Sequence, residues 1–166
     1  MAGLMITRKR LLFLLTATMA GLGAAWWWGQ PDRQLHRTWE NLLDVVEARN
    51  TTRLGWLLAD DYSDRWGYSR RTLLDDARLA FFQCEKLRIH PGQVTIQRDG
   101  DRATVTAVLR IDATGGGTVD EARIEINRLF TPFTFEWRHE GGYPGSWRLL
   151  RFDQPELSLE RFKTRW

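Results

Sequence analysis

The side chains of this sequence that could do acid–base chemistry are concentrated in one acidic loop. The loop reads Asp60-Asp61-Tyr62-Ser63-Asp64-Arg65-Trp66-Gly67-Tyr68, and His139 is a further candidate outside it. A carboxylate whose pKa is raised by burial could act as a general base, and a tyrosine hydroxyl could donate a hydrogen bond to a developing oxyanion. On this interpretation the catalytic candidates are Asp61, Tyr62 and His139.

The same loop can be explained without catalysis. Asp and Ser side chains commonly bond nearby backbone groups in turns, and Ser69 is a good N-cap for the helix that follows. We favour this interpretation, in which the carboxylates fix the loop and cap the helix. Three Asp in five residues also suggest calcium, but the regular ligand spacing of a calcium-binding loop is missing. Cys84 is the only cysteine, and no Cys or His spacing indicates a zinc site, so we expect no metal and no cofactor.

A strand rich in aromatic residues is the expected centre of the fold. Phe133, Phe135 and Trp137 alternate with polar residues, which is the period of a strand with one buried face. Three rings on one face can cover a large area of the helices packed against it. The aromatic side chains predicted to form a binding surface here and at the acidic loop are Tyr62, Trp66, Tyr68, Phe133, Phe135 and Trp137.

Three helices are predicted ahead of the strands. The first runs from Pro31 to Asn50, with apolar residues at helical spacing. Asn50 then offers an N-cap for a short second helix, and Ser69 offers one for a third helix from Arg70 to about Phe82. The apolar residues that define the three helices are Leu35, Trp39, Leu42, Leu43 and Val46, then Leu54, Leu57 and Leu58, then Leu73, Leu74, Ala77, Ala80 and Phe81.

Four strands are predicted after the third helix. Apolar and polar residues alternate from Leu87 to Ile96, with an interruption at Pro91-Gly92, and again from Thr104 to Ile111. Asp99-Gly100-Asp101 between them is a hairpin signal. The aromatic strand and Ser146 to Phe152 complete the set. Residues 118–129 fit two structures: an extended segment, which we favour because Ala122, Ile124 and Ile126 alternate, or a helix opened by the capping box Thr118-Val119-Asp120-Glu121.

The amino-terminal segment predicts a membrane anchor. Residues 11–29 carry no charge and follow Arg8-Lys9-Arg10, which we expect to stay on the cytoplasmic side. The domain would then be extracytoplasmic, that is, periplasmic. Cleavage after Ala25 is the alternative, which would leave a secreted or periplasmic protein, but the cluster Trp26-Trp27-Trp28 suits a membrane interface and favours the anchor. We divide the chain into the anchor or signal peptide (1–30), a folded domain (31–153) and a tail (154–166).

The charge of the folded part excludes a polyanion as the expected partner. The chain has a net charge of +3, but this excess is the cluster at residues 8–10. The remaining 21 Lys and Arg balance 21 Asp and Glu. Because non-specific affinity for nucleic acid comes from accumulated basic charge, we expect no nucleic-acid binding.

The order of predicted elements resembles the nuclear transport factor 2-like superfamily, a cystatin-like, SnoaL-like α+β fold. The resemblance covers about residues 33 to 153. It is carried by Leu57-Leu58-Ala59-Asp60-Asp61-Tyr62, by Gly67-Tyr68-Ser69-Arg70, and by Phe133-Thr134-Phe135-Glu136-Trp137 with Ser146-Trp147-Arg148-Leu149. It implies helices packed on a curved antiparallel sheet that forms a cone.

The resemblance implies a shape rather than an activity, because the superfamily holds enzymes, ligand carriers and interaction modules. Its enzymes usually place a carboxylate or His on the sheet, facing into the cone. None of the residues that the alternation predicts to face inward is ionisable: they are Leu87, Ile89, Val94, Ile96, Val105, Ala107, Leu109, Ile111, Phe133, Phe135 and Trp137. We therefore expect a non-catalytic module that binds an apolar small molecule or a protein, with a membrane-protein partner and a homodimer as further options. The alternative is a small isomerase, cyclase or hydrolase that uses Asp61 or His139 at the cone mouth.

Overall fold

The computed structural model describes residues 31–141 and 146–158. Within these ranges the chain forms helices α1 (Pro31–Glu47), α2 (Thr51–Leu57), α3 (Arg70–Gln83) and α4 (Gly117–Arg128). Its strands are β1 (Cys84–Asp99), β2 (Arg102–Gly115), β3 (Phe133–His139) and β4 (Trp147–Asp153). No helix among the described residues is long and apolar enough to cross a membrane. The predicted anchor at residues 11–29 lies outside the described residues.

The first three helices form where the apolar spacing and the capping residues predict. The Asn50 side chain accepts a hydrogen bond from Arg53 N–H at the start of α2, and Ser69 and Thr72 form a reciprocal capping box at the start of α3. Helix α1 buries Leu35, Trp39, Leu42 and Val45. The apolar stripe of α3 is only half-buried, so this helix covers the core loosely.

The four strands form one antiparallel sheet in chain order, β1-β2-β3-β4, which confirms the predicted α+β class. Strands β1 and β2 make a long hairpin whose turn uses Gly100 at φ 60°, a conformation that glycine adopts without strain. Strand β3 pairs with β2 only from Arg102 to Ala107, so the second half of β2 extends beyond it. Alternation places one apolar face of the sheet against the helices.

Residues 118–128 are helical and Leu129 is the extended C-cap, so the extended structure that we favoured for residues 118–129 is wrong. Helix α4 packs on the half of β2 that lacks a β3 partner. There the Asn127 side chain acts like a neighbouring strand, because it accepts from Ile111 N–H and donates to Ile111 C=O, both at 2.8 Å. The predicted capping box does not form, because the helix starts at Gly117 after Gly116, and no side chain caps it.

The core is centred on two tryptophans and the aromatic strand. Trp137 and Trp147 are fully buried, and Trp39 of α1 meets Phe135 edge-on at 4.7 Å between ring centroids. The indole N–H groups of Trp137 and Trp147 have no hydrogen-bond partner among the described residues. The first residues of the predicted tail are also packed in the domain, because Gln154 is fully buried and donates to Thr131 C=O at 2.7 Å.

Candidate functional site

An apolar cavity lies between the helices and the inner face of the sheet. It has a volume of about 280 Å³. Each wall is the apolar face of a helix or a strand, formed by residues at helical spacing or by every second residue of the strand. The cavity is lined by Leu42, Leu43, Val46, Leu54, Leu58, Tyr62, Leu73, Leu87, Ile89, Leu109, Ile111, Ile126, Phe133, Phe135, Leu149 and Phe152.

No polar atom is exposed on the wall of this cavity. Strands β1 and β2 contribute Leu87, Ile89, Leu109 and Ile111, which the alternation predicted to face inward. An apolar wall cannot hydrogen-bond a polar group, so any polar group of a ligand held here would stay desolvated and unpaired. The cavity is therefore suited to hydrocarbon.

Phe152 is a lining residue that sequence reasoning missed. Counting every second residue from Trp147 and Leu149 would place Phe152 on the outer face of β4. The register shifts by one residue, because Trp137 pairs with Leu149 while Glu136 pairs with Arg151. This β-bulge turns Phe152 inward, where its ring stacks on that of Phe133 at 5.7 Å. No signal in the sequence marks the bulge.

Tyr62 reaches the cavity with its ring and points its hydroxyl away. The hydroxyl donates to Asp64 Oδ2 at 3.1 Å, and Asp64 Oδ1 accepts from Trp66 N–H and Tyr68 N–H, both at 3.0 Å. Asp64 is buried and fixes the loop through these three bonds. Burial, together with the Asp64 carboxylate, raises the pKa of Tyr62 well above its usual range.

Asp61 lies outside the cavity wall, on the protein surface. Arg138 clamps its carboxylate with two hydrogen bonds of 2.8 and 2.7 Å and also contacts Glu140. The hydrogen bond from Arg138 lowers the pKa of Asp61, which keeps the carboxylate ionised and weakly basic. This is the opposite of the shift that a general base in an apolar site requires.

His139 ends β3 at the far side from the cavity. It lies six positions after Phe133, which is roughly 20 Å along a strand. Its Nε2 and Ser146 Oγ are hydrogen-bonded at 3.0 Å. Its ring packs edge-on against the Trp147 ring, with 5.1 Å between the ring centroids. No carboxylate among the described residues contacts the ring to orient it as in a catalytic triad.

The structure brings together three of the six aromatic residues predicted to bind a ligand. Tyr62, Phe133 and Phe135 line the cavity. Trp66 lies behind the wall, where its ring contacts Phe152 and its indole N–H donates to Leu157 C=O at 3.0 Å. Tyr68 belongs to the Asp64 loop, and Trp137 lies in the core beyond the cavity. No cluster of three or more His, Cys, Asp or Glu that could hold a metal occurs in the described ranges.

Glu47 ties the end of α1 to β1 beside the cavity wall. Its carboxylate accepts from Ile89 N–H and from the Arg88 guanidinium, both at 2.7 Å, and its side chain is 18% exposed. Burial acts against the charged form, but the hydrogen bonds from Ile89 and Arg88 outweigh it and lower the pKa of Glu47.

Replacing Glu47 with Gln should lower the free energy of unfolding at pH 7 by about 1–2 kcal/mol, because the charge-assisted bonds weaken. The pKa is lower in the folded state, so the stabilisation is present above the unfolded pKa and is lost as the pH falls through the folded pKa. Urea unfolding at pH 7 and at about pH 3 should therefore show a difference between the two proteins that disappears in acid. Glu40→Gln is the control, since Glu40 is exposed on the same helix. A Glu47→Gln deficit that persists in acid would contradict this account.

The folded domain is similar to several solved structures. A Rhodospirillum rubrum protein, described as NTF2-like and of unknown function in nutrient uptake, matches with a TM-score of 0.53 and 23% identity. The match covers 71% of this chain and 93% of that one. A Streptomyces avermitilis protein of the NTF2-like family, named as a candidate dehydratase, matches with a TM-score of 0.54 and 18% identity over 74% and 95% of the two chains. The fold is NTF2-like.

The NTF2-like domain is also similar to one part of a longer protein of known structure. It matches Bd1075 of Bdellovibrio bacteriovorus with a TM-score of 0.58 and 11% identity over 73% of this chain. The chain spans only 40% of that structure. No protein-family model and no curated protein sequence matches the chain. The NTF2-like fold is therefore shown by structural similarity alone, and an activity is not.

Proposed function

We propose that the NTF2-like domain is a non-catalytic module that binds an apolar small molecule in the cavity between its helices and its sheet. The observation that carries the proposal is the cavity of about 280 Å³ whose wall exposes no polar atom. Ligand pockets commonly combine an apolar lining with a few polar groups that fix orientation, and they measure roughly 300–1,000 Å³. This cavity lies just below that range and lacks the polar groups, which favours a small ligand or the hydrocarbon part of a larger one.

The positions of the ionisable candidates support binding rather than catalysis. A general base must come within hydrogen-bond reach of the proton it removes. Asp61 is held by Arg138 on the surface, and His139 lies at the opposite end of β3 from Phe133. The Tyr62 hydroxyl is already bonded to Asp64. None of the three is placed to act on a molecule inside the cavity.

The loosely packed α3 supports ligand entry. It contributes Leu73 to the cavity wall but has no fully buried residue, and Phe82 at its end is 89% exposed. Elements with few buried apolar contacts open at low free-energy cost. We propose that the ligand enters beside this helix.

The proposal includes the membrane arrangement that the sequence predicts. Residues 11–29 would anchor the chain and place the NTF2-like domain outside the cytoplasm, as the basic residues before them support. A membrane-protein partner and a homodimer remain predictions of the same kind.

The test is native mass spectrometry of the full-length chain, purified without denaturation, together with titration of the apolar dye ANS. We expect a co-purified small molecule or saturable dye binding. Leu109→Trp, which fills the cavity from β2, should weaken binding at least about tenfold, since small changes of fit in an apolar site have effects of this order. Thr106→Trp adds the same ring to the opposite face of β2 and should change little.

A chain that is free of ligand in every preparation and binds no dye would overturn the proposal, as would equal weakening by both substitutions. The rival enzyme draws its support from the Streptomyces avermitilis neighbour named as a candidate dehydratase. Loss of turnover in a correctly folded Asp61→Asn or His139→Ala variant would support the enzyme instead.

A further inference from the structure

The apolar cavity is not fully enclosed, and its open side lies between α3 and α4. Leu73 of α3 and Ile126 of α4 both line the cavity, and both side chains are only half-buried. In the described part of the chain, α3 packs on α2 and β1 while α4 packs on β2, and the two helices share no extensive interface. We call the gap between Leu73 and Ile126 the mouth. It leaves apolar surface open to water, which favours a covering partner.

The described chain ends beside this cavity. Strand β4 finishes opposite the start of β3, and Phe133 and Phe152 at these two ends line the cavity. Leu157 is then buried, and its C=O accepts from the Trp66 indole N–H at 3.0 Å. The Trp66 ring in turn contacts that of Phe152. Residues that follow Ser158 therefore leave the domain at the rim of the cavity.

The end of the described chain also contacts the segments that flank both helices of the mouth. Trp66, which holds Leu157, lies shortly before the start of α3. Thr131, whose C=O accepts from Gln154 at 2.7 Å, lies shortly after the end of α4. The segment after Ser158 consequently starts between the chain that enters α3 and the chain that leaves α4.

The remaining eight residues, 159–166, have an apolar pattern suited to this position. Leu159, Phe162 and Trp166 are spaced by three and four residues, which places large apolar side chains on one face of a helix. The other five positions are polar or charged. Eight residues reach about 12 Å as a helix and about 28 Å when extended, so the segment can lie across a gap between two neighbouring helices.

We propose that residues 159–166 cover the mouth, with Phe162 and Trp166 packed against the apolar side chains of α3 and α4. Because the segment is tethered at the rim, its effective concentration at the mouth is high. A ligand would have to displace it, so the cover would also lower the apparent affinity of the cavity. This second effect rests on the proposed binding function, whereas the docking of the segment does not.

The amino-terminal segment is less suited to this position. Residues 1–30 join the domain at Pro31, the first residue of α1. The cavity is lined instead by Leu42, Leu43 and Val46, in the second half of that helix. Pro31 and Val46 are about 22 Å apart along a helix. The amino-terminal residues therefore enter at the end of α1 that lies away from the cavity.

The first test measures how accessible the mouth is, without any ligand. Leu73→Cys is introduced into the full-length chain and labelled with a maleimide, and mass spectrometry of the labelled peptides separates it from the native Cys84. Adding Phe162→Ser with Trp166→Ser should speed labelling of the new cysteine at least about tenfold, because an open state that is in the minority is populated at about 0.1–10%. Arg161→Ser with Arg165→Ser is the matched control in the same segment and should change little.

The second test is ANS titration of the same variants. Phe162→Ser with Trp166→Ser should tighten dye binding by about the same factor as it speeds labelling, since apparent affinity scales with the fraction of open protein. Faster labelling with no dye binding by any variant would support the cover and refute ligand binding. Equal labelling of the two double variants would overturn the cover, even if the dye binds. So would protection of the new cysteine that is lost on dilution, because a second copy would then cover the mouth.

Discussion

Replacing Trp137 with Ala is expected to lower the free energy of unfolding by about 3–5 kcal/mol. Trp137 is fully buried at the centre of the sheet, between Ala103 of β2 and Leu149 of β4. Truncation would remove one of the two largest fully buried side chains and leave a cavity that two paired strands cannot close. Urea unfolding followed by circular dichroism measures the change, with the midpoint and slope fitted separately.

Trp56→Ala is the control for this substitution. Trp56 is 65% exposed on α2, so its removal should change the free energy of unfolding by no more than about 0.5 kcal/mol. Trp137→Phe is a milder variant if the alanine protein fails to fold, because it keeps a ring and removes the unpaired indole N–H. Equal effects of Trp137→Ala and Trp56→Ala would show that the core is not built around Trp137.

Replacing Asp64 with Ala should lower the free energy of unfolding by about 2–4 kcal/mol, because a buried donor left without its partner costs about 1–3 kcal/mol. Three donors lose their acceptor together: the Tyr62 hydroxyl and the backbone N–H groups of Trp66 and Tyr68. The loop behind the cavity wall would loosen as a result. Thermal unfolding measures the loss, and hydrogen exchange at Trp66 and Tyr68 locates it.

Asp60→Ala is a control in the same loop. The Asp60 side chain is 99% exposed and contacts Arg70 only at 3.5 Å, so its removal should be nearly neutral. If the two alanine variants unfold at the same temperature, Asp64 does not hold the loop in the way that its hydrogen bonds indicate.

Local chemistry made much of this fold predictable from sequence. Asn50 and Ser69 start helices because their side chains accept hydrogen bonds from backbone N–H groups of the first turn. Each of these bonds joins residues within four positions of sequence, so a local pattern predicts it. Gly100 marks the hairpin for an equally local reason, since the turn requires a positive φ. The inward set of β1 and β2 followed from the alternation alone.

The sequence predictions failed where contacts between residues distant in sequence decide which local structure forms. Residues 118–129 carry both a strand and a helix pattern, and the helix forms where β2 has no β3 partner and Asn127 can bond Ile111. The three aspartates of the acidic loop are chemically identical in the sequence. Only the tertiary structure shows that Asp64 is buried while Asp61 pairs with Arg138 across 77 residues. The volume of the cavity depends on how the side chains pack in three dimensions, which no sequence pattern predicts.

The contacts that close the domain join distant parts of the chain, and this has a kinetic consequence. Ala59 N–H donates to Leu149 C=O, Ser63 N–H donates to Leu150 C=O, and Trp66 reaches Leu157. These contacts span about 90 residues, whereas the β1–β2 hairpin forms between neighbours in sequence. Folding slows as contacts become less local in sequence. The β1–β2 hairpin should therefore form early, and the acidic loop should dock on β4 late. On the ribosome, the apolar wall would stay open until the last strand has emerged.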